Sequence, residues 1–471
     1  MKYIIPNDLK PWQREVVERE QRFNDGCCLF HTMGAGKTRT AVELLKKFNA
    51  KRILLVSLEK VSKDVWPNEL NKWKYPIKHE YIGGLSAAKQ ETRLRGGVME
   101  GTMIATTFSA FSHSTAVKNR PKRVDLPNSP LLQAYINIPW DIIIIDESTK
   151  IKDPTSKVSL AMLNLAVNCP NAYILQMTGT PNPEAILDLY TQISMVDRGK
   201  RFGQSFVKWR DTYFYQRAYS YDYLPFAFTA ETVAKLTNDI IYALTKTDLD
   251  KESVVPKRIE NDVLFQLSER SMAQYKEMKQ YVLDINPNQS IIASNAAVML
   301  SKLAQISSGI VYANDGAHNF VGTDKVQALM GLIKKIPGKI IVCYWFQASR
   351  TLIERWLKVN GIDFAHASEI SETDFTKSGE LKVLLLQPAM GAYGSNYQED
   401  CHNLIWYDVD MSGERFQQTE ARIDRQGQAK PPTFWYLLAE KTYDKKSRDK
   451  VRRKEATAVE LLKMIQNEKE D

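Results

Sequence analysis

The chain has 471 residues, 44% hydrophobic and 25% charged, with a formal net charge of +9 and a pI of about 9.0. That length exceeds one ordinary core and suits two or three soluble globular domains, and no apolar run approaches the roughly eighteen residues of a membrane span. The basic balance suits a polyanion and gives no reason to expect a membrane partner.

The N-terminus turns polar within five residues and does not read as a signal peptide. Five cysteines, Cys27, Cys28, Cys169, Cys343 and Cys401, include no C-x-x-C pair, and the six histidines show no ligand spacing. Buried reduced thiols in a cytoplasm are therefore expected, in place of a disulfide frame or a zinc site.

Along the chain, strand and helix signals alternate from the start. Cys27–Phe30 is a short apolar run that leads into "HTMGAGKTRT", residues 31–40. After it Ala41, Leu44, Leu45 and Phe48 recur at helical spacing. Short β-like runs follow at Ile53–Val56, Met103–Thr106, Ile142–Ile145 and Tyr173–Met177, separated by helical or loop segments. This alternation predicts a parallel sheet covered by helices. The stretch from about 200 to 335 is rich in aromatics and long helical patterns. Strand-like runs resume at Lys339–Tyr344, Val383–Leu386, Leu404–Tyr407 and Phe434–Leu438. The expected fold is α/β, with two parallel-sheet lobes at 1–250 and 251–471 and helical insertions between them. The boundary is expected near Pro256, where a proline interrupts a polar stretch.

The glycine loop has the parts of a phosphate cradle. Gly34 and Gly36 let backbone N–H groups approach a phosphate, Lys37 can reach β/γ oxygens, and Thr38 can place a hydroxyl on Mg²⁺. The strict pattern asks for a glycine where His31 stands. In "WDIIIIDESTK", four isoleucines form a strand with Asp146 and Glu147 at its tip. Asp146 is expected in the Mg²⁺ shell and Glu147 as the base that orients and deprotonates water. A cradle and a carboxylate pair at strand ends of one sheet predict nucleoside triphosphate hydrolysis, with ATP and Mg²⁺ as cofactors.

These motifs, in order, resemble those of helicase superfamily 2 ATPases, and within them the Swi/Snf-type translocases. "LKPWQ" resembles the adenine-reading segment, with Gln13 as reader. "ILLVSLEKVSKDVWPNELNKW" and "MIATTFSAF" resemble the next two motifs, "DESTKIKD" the acidic motif, and "LQMTGTPNPE" the coupling motif through Thr178, Gly179 and Thr180. "GKIIVCYWFQ" resembles the first motif of the second lobe, and "LQPAMGAYGSN" its Gly-rich motif through Gly391, Gly394 and Asn396. "QTEARIDRQGQ" fits Q-x-x-x-R-x-x-R-x-G-Q through Gln418, Arg422, Arg425, Gly427 and Gln428. The two arginines, three apart, are expected on one face of a helix.

The resemblance implies two RecA-like lobes and a DNA-dependent ATPase that moves along double-stranded DNA. Lys37, Glu147, Arg422 and Arg425 would be catalytic. Ser57, Thr106, Thr107, Gln347 and Gly391 would contact nucleic acid, and Gln418 would couple with Thr178–Thr180. The chain departs from the pattern at His31-Thr32, Thr149, Ala389 and Met411. Its size resembles small stand-alone members from bacteria and phages, acting as monomeric cytoplasmic motors in replication or recombination. Two other readings use the same motifs: a strand-separating DNA or RNA helicase, and an ATP-switched clamp or loader that does not travel.

Three further stretches stand apart. Residues 441–465 form a basic helix with an apolar stripe, expected to dock on the second lobe. Residues 118–130 read as a basic, proline-punctuated surface loop. The aromatic run 209–228 could stack on unpaired bases but is expected to be the core of a helical insertion.

Overall fold

The structure is a computed structural model. It describes residues 3–113, 129–182, 185–217, 223–252, 256–284, 292–312, 318–391, 397–409, 412–425 and 427–470. Most of the 118–130 loop, with Gly394 and Asn396, lies outside the described residues.

The chain divides into two compact units. The first comprises Met1–Tyr215, Pro225–Lys251 and Thr457–Asp471, and the second Gln216–Leu224 and Glu252–Ala456. In the first, strands β1 (Gly26–His31), β2 (Arg52–Ser57), β3 (Lys78–Tyr81), β4 (Thr102–Thr107), β5 (Ile142–Asp146) and β6 (Tyr173–Met177) build most of a sheet. A short ribbon, β7 (Phe214–Gln216) and β8 (Tyr223–Pro225), precedes β9 (Ile241–Leu244). The sheet order is β3-β4-β2-β5-β6-β1-β9, and every neighbouring pair is parallel.

The expected runs became strands because they are short, apolar and β-branched. β1 and β6 are buried along their whole length, as strands covered on both faces must be. Alternate residues reach one side: Cys27 and Leu29, Ile53 and Leu55, Ile142 and Ile144, Tyr173, Leu175 and Met177. There they pack on Val16 and Val17 of helix Pro11–Arg19 and on Ala41, Leu44 and Leu45 of helix Lys37–Phe48. The period of two in the strands and of 3.6 in the helices thus meet in one core.

The second unit repeats the principle. Strands β10 (Ile259–Phe265), β13 (Lys339–Cys343), β14 (Phe364–His366), β15 (Val383–Leu386), β16 (Cys401–Trp406) and β17 (Thr433–Ala439) form a parallel sheet, with a small antiparallel pair β11 (Ile310–Tyr312) and β12 (His318–Phe320) before β13. The sheet order is β10-β17-β16-β13-β15-β14. The basic helix runs from Asp444 to Glu470. Its apolar stripe is buried, with Val451 in the core of the second unit, while Thr457–Asp471 groups with the first. Arg448 and Arg452 are engaged with Asp262 and Glu260 of β10. All five cysteines are free and buried.

Candidate nucleotide-hydrolysis site

Strand β1 delivers the chain into the glycine loop, and helix Lys37–Phe48 starts directly after it. Its cap, Gly36, has φ +75°, and a Cβ there would sit 2.6 Å from Gln13 Nε2. Only glycine combines that left-handed turn with that close approach. The loop is braced from the side by the N-terminal helix. Trp12 Nε1 donates to Ala35 O at 2.9 Å, and Gln13 Nε2 to Gly36 O at 3.1 Å. Gln13 is almost fully buried, with its Oε1 accepting from Lys10 N. Its amide therefore fixes the loop. Lys37 Nζ lies 2.9 Å from His31 O and 3.4 Å from Thr32 O. Thr38 stands partly exposed in the first helical turn.

The carboxylates stand at the C-terminal end of β5. Asp146 Oδ2 accepts a 2.9 Å hydrogen bond from Trp66 Nε1. Burial raises the Asp146 carboxyl above the ordinary aspartate range, and the Trp66 bond and the Lys37 charge oppose that rise. Glu147 has φ +77°, a left-handed conformation that a glutamate adopts at a cost. Its N–H still pairs with Met177 O, so the twist redirects the side chain without losing the backbone bond. Glu147 Oε1 accepts from Thr178 Oγ1 at 2.6 Å and from Thr149 Oγ1 at 3.0 Å. Thr149, one of the departures from the resembled pattern, thus touches the expected base directly.

The loop after β6 closes on both motifs. Thr180 N donates to Thr178 Oγ1 at 3.1 Å, and Thr178 N to Leu29 O at 3.2 Å. A Cβ on Gly179 would lie 3.0 Å from Met33 Cγ of the glycine loop. Gln192 ties the rest together: Nε2 donates to Pro181 O at 2.6 Å, and Oε1 accepts from Ser148 Oγ at 2.7 Å. Lys37, Asp146, Glu147 and Thr178–Thr180 therefore belong to one connected constellation in the first unit. Sequence reasoning gave no role to Trp66 or Gln192. Trp66 was visible as a tryptophan in a motif, but its partner lies 80 positions away.

Of the expected nucleic-acid contacts in the first unit, two have side chains that solvent does not reach. Ser57 and Thr106 are fully buried; Ser57 Oγ pairs with Ser62 Oγ at 2.6 Å and Thr106 Oγ1 approaches Gln90 Oε1 at 3.4 Å. Ser57 pairs with Thr107 and Val56 with Thr106, so the two hydroxyls lie on opposite faces of a sheet that is covered on both sides. Thr107, one residue on, is partly exposed.

In the second unit, Gln347 is exposed at the start of helix Gln347–Val359, and its Nε2 donates to Gln387 Oε1 at 3.2 Å. Gly391 ends the short helix Pro388–Gly391. Gln418 is buried, with Nε2 3.4 Å from Glu414 Oε1. Arg422 and Arg425 are not on the expected helix, which ends at Glu420. They sit in the turns that follow, where Arg422 N bonds Thr419 O and Ile423 N bonds Glu420 O. Beyond the helix, Gln428 pins the turn: its Nε2 donates to Ile423 O at 2.8 Å and to Cys401 O at 3.2 Å.

A buried ion network holds this turn. Glu420 accepts from Arg258 Nη2 at 2.7 Å and Tyr436 OH at 2.6 Å, and pairs with Arg452 Nη1 at 3.1 Å. Arg258 also reaches Asp424 at 3.4 Å. Burial alone would raise the Glu420 carboxyl, but Arg258 and Arg452 hold it below the ordinary range. Arg425 is desolvated, which lowers its pKa, against an opposing pull from Glu372. Among the described residues, no helix is long and apolar enough to cross a membrane.

Comparison with known proteins places this constellation. Residues 13–313, well over half of the chain, match the SNF2-related domain. The chain is 25% identical to a putative protein, p41, of Acyrthosiphon pisum secondary endosymbiont phage 1, over 88% of this chain and 89% of that protein. It is 23% identical to the uncharacterized ATP-dependent helicase YqhH of Bacillus subtilis, over 92% of this chain and 76% of that one. The Sulfolobus solfataricus SWI2/SNF2 ATPase core, solved in complex with dsDNA, overlaps 98% of each chain at 18% identity and a TM-score of 0.42. The chain belongs to the SNF2-related family and is a nucleic-acid-dependent ATPase of the helicase type.

Proposed function

We propose that this ATPase is a double-stranded DNA translocase. The observation that carries the reading is the bond from Thr178 to Glu147, which ties the expected base to the loop that couples hydrolysis to movement in the family it resembles. The net charge of +9 supports a polyanionic track.

The cradle fits a nucleotide: Gly36 holds a left-handed turn at φ +75° that other residues adopt only under strain, and Lys37 rests on two carbonyls of its own loop that phosphate oxygens can replace. Loop N–H groups and the helix dipole would hold the phosphates. Thr38 and Asp146 would hold Mg²⁺, which when bound neutralises phosphate charge. Glu147 would take the proton from the attacking water. Arg422 and Arg425 would supply positive charge to the transferring phosphoryl group, the role their motif has in the resemblance.

The test is the rate of ATP hydrolysis with no nucleic acid, single-stranded DNA, duplex DNA and RNA, together with displacement of a third strand from duplex. Greatest stimulation by duplex with triplex displacement is expected. Stronger stimulation by single strands or RNA, with unwinding, would favour the strand-separating helicase. Neither displacement nor unwinding would leave an ATP-switched clamp.

A further inference from the structure

The aromatic run 209–228 divides in two. Trp209 is buried among Tyr190, Phe202, Phe206 and Phe214, with ring centroids 5.0 to 6.3 Å away. This half is core, as the sequence suggested. The other half faces water. Tyr215, Phe226 and Phe228 are 45%, 37% and 50% exposed. Phe226 and Phe228 stack with centroids 5.6 Å apart and planes 7° from parallel. Tyr215 leans on Phe226 at 5.4 Å, and Tyr213 on Phe228 at 6.2 Å.

The backbone beneath the rings is fixed. Phe226 N donates to Tyr213 O, Thr229 N to Phe226 O, and Thr229 Oγ1 to Tyr213 O. The ladder is therefore presented on a tied-down scaffold. Exposed apolar surface gathered into one patch marks a binding surface. Its surroundings point to the partner. The segment 206–228 carries Lys208, Arg210 and Arg217 against Asp211 and Asp222, and Asp211 pairs with Arg210. Exposed stacked rings on a segment of net positive charge, in a protein that acts on nucleic acid, suit bases along a phosphate backbone.

We infer that this ladder is a stacking platform for unpaired bases, so that the protein prefers nucleic acid in which a single strand adjoins duplex. The inference goes beyond duplex translocation and rests only on the dependence on nucleic acid. Paired bases offer their faces to neighbouring pairs, so an intact duplex cannot use the ladder. Bases in a single strand can.

The experiment measures affinity for a labelled blunt duplex and for the same duplex with an oligo(dT) tail. It compares the parent, the double variant Phe226→Ala/Phe228→Ala, and Phe226→Trp, each checked for fold by circular dichroism. The parent should favour the tailed substrate. The double alanine variant should reduce that preference about tenfold or more, and tryptophan should keep it. A 2-aminopurine placed in the tail should be quenched by the parent and by Phe226→Trp, and not by the alanine pair. Lys37→Ala should retain the tail preference, so a failed hydrolysis reading would leave this one standing. Equal affinity of the parent for both substrates would overturn the inference. So would an alanine pair that weakens both equally, or one that instead converts a self-associated protein to monomer.

Discussion

Thr178 Oγ1 lies 2.6 Å from Glu147 Oε1, and Thr149 Oγ1 lies 3.0 Å from the same oxygen. Two hydroxyls from two different motifs converge on one atom of the base. A change at the coupling loop therefore reaches the base through one bond, with no intermediate side chain.

Thr178→Val removes the shorter bond and keeps the side-chain volume. A hydrogen bond to a charged group contributes about 1.5–3 kcal/mol. If all of it is expressed in the transition state, turnover falls about 10- to 150-fold. ATP affinity should change little, and Thr178→Ser should restore most activity. Thr149→Val should cost less, because its bond is longer. Steady-state kinetics on the three variants decide this; unchanged turnover in Thr178→Val would remove the relay.

Lys37→Ala and Glu147→Gln should fail differently. Without the lysine, β/γ phosphate charge is left unmatched, so ATP binding and hydrolysis are lost while nucleic-acid binding persists. Glu147→Gln keeps the shape and loses the base, so it should hold ATP and turn over very slowly. Nucleotide-binding and single-turnover assays separate the two. A glutamine variant that cannot retain ATP would show that Glu147 is not the base.

Binding to duplex DNA should be sequence-tolerant and steeply salt-dependent. About six phosphate contacts give a log–log slope near −5. Anisotropy titrations over a range of potassium chloride measure it directly, and a flat response would remove the electrostatic track.

Alkaline pH should destabilise the fold. Burial pushes Cys169 up to about 11 and Cys401 up to about 12, from 9.0 for a solvated thiol. Tyr275 is raised to about 12 by burial. The unfolded chain therefore ionises first. The stability these groups contribute is complete below pH 9 and is lost as pH rises towards 12. Denaturant midpoints should fall across that window, and native thiols should resist alkylation at pH 8 until the protein is unfolded. Rapid labelling of the native protein would contradict the burial.

Much of this was legible because it is local. Four isoleucines closed by Asp146 and Glu147 announce a strand and its tip, and Gly36-Lys37-Thr38 announces a turn into a helix. What was hidden depends on which way a side chain faces or on partners far away. Ser57 and Thr106 carry hydroxyls at strand ends, and only the packing on both faces of the sheet shows that they are buried. The residues after Glu420 read as helix, but they form turns, pinned by Gln428 folding back on Ile423. Arg258 and Arg452 meet Glu420 from 162 and 32 positions away, a distance no short pattern spans.

The arginine turn carries the decisive prediction. The first unit alone holds the cradle and both carboxylates, and a simple P-loop hydrolase could work with that much. The proposed mechanism cannot, because it draws Arg422 and Arg425 from the second unit. An arginine supplied to a transferring phosphoryl group contributes roughly 10³–10⁵ in rate in related NTPases. That corresponds to about 4–7 kcal/mol of barrier. Arg425→Ala should therefore lose most stimulated hydrolysis while keeping its fold and much of its DNA affinity, and Arg422→Ala should behave similarly with some loss of ATP binding. Lysine should rescue little at either position, because a point charge does not reproduce the planar fork. Glu420→Gln offers a control on the support: it weakens the pull on Arg258 and Arg452, so the melting temperature should fall along with the rate. Arg425→Ala should lower the rate alone, because burial there disfavours the charge in the resting protein. Hydrolysis by Arg425→Ala within a few fold of the parent, under saturating DNA, would mean that the second unit does not complete the active site.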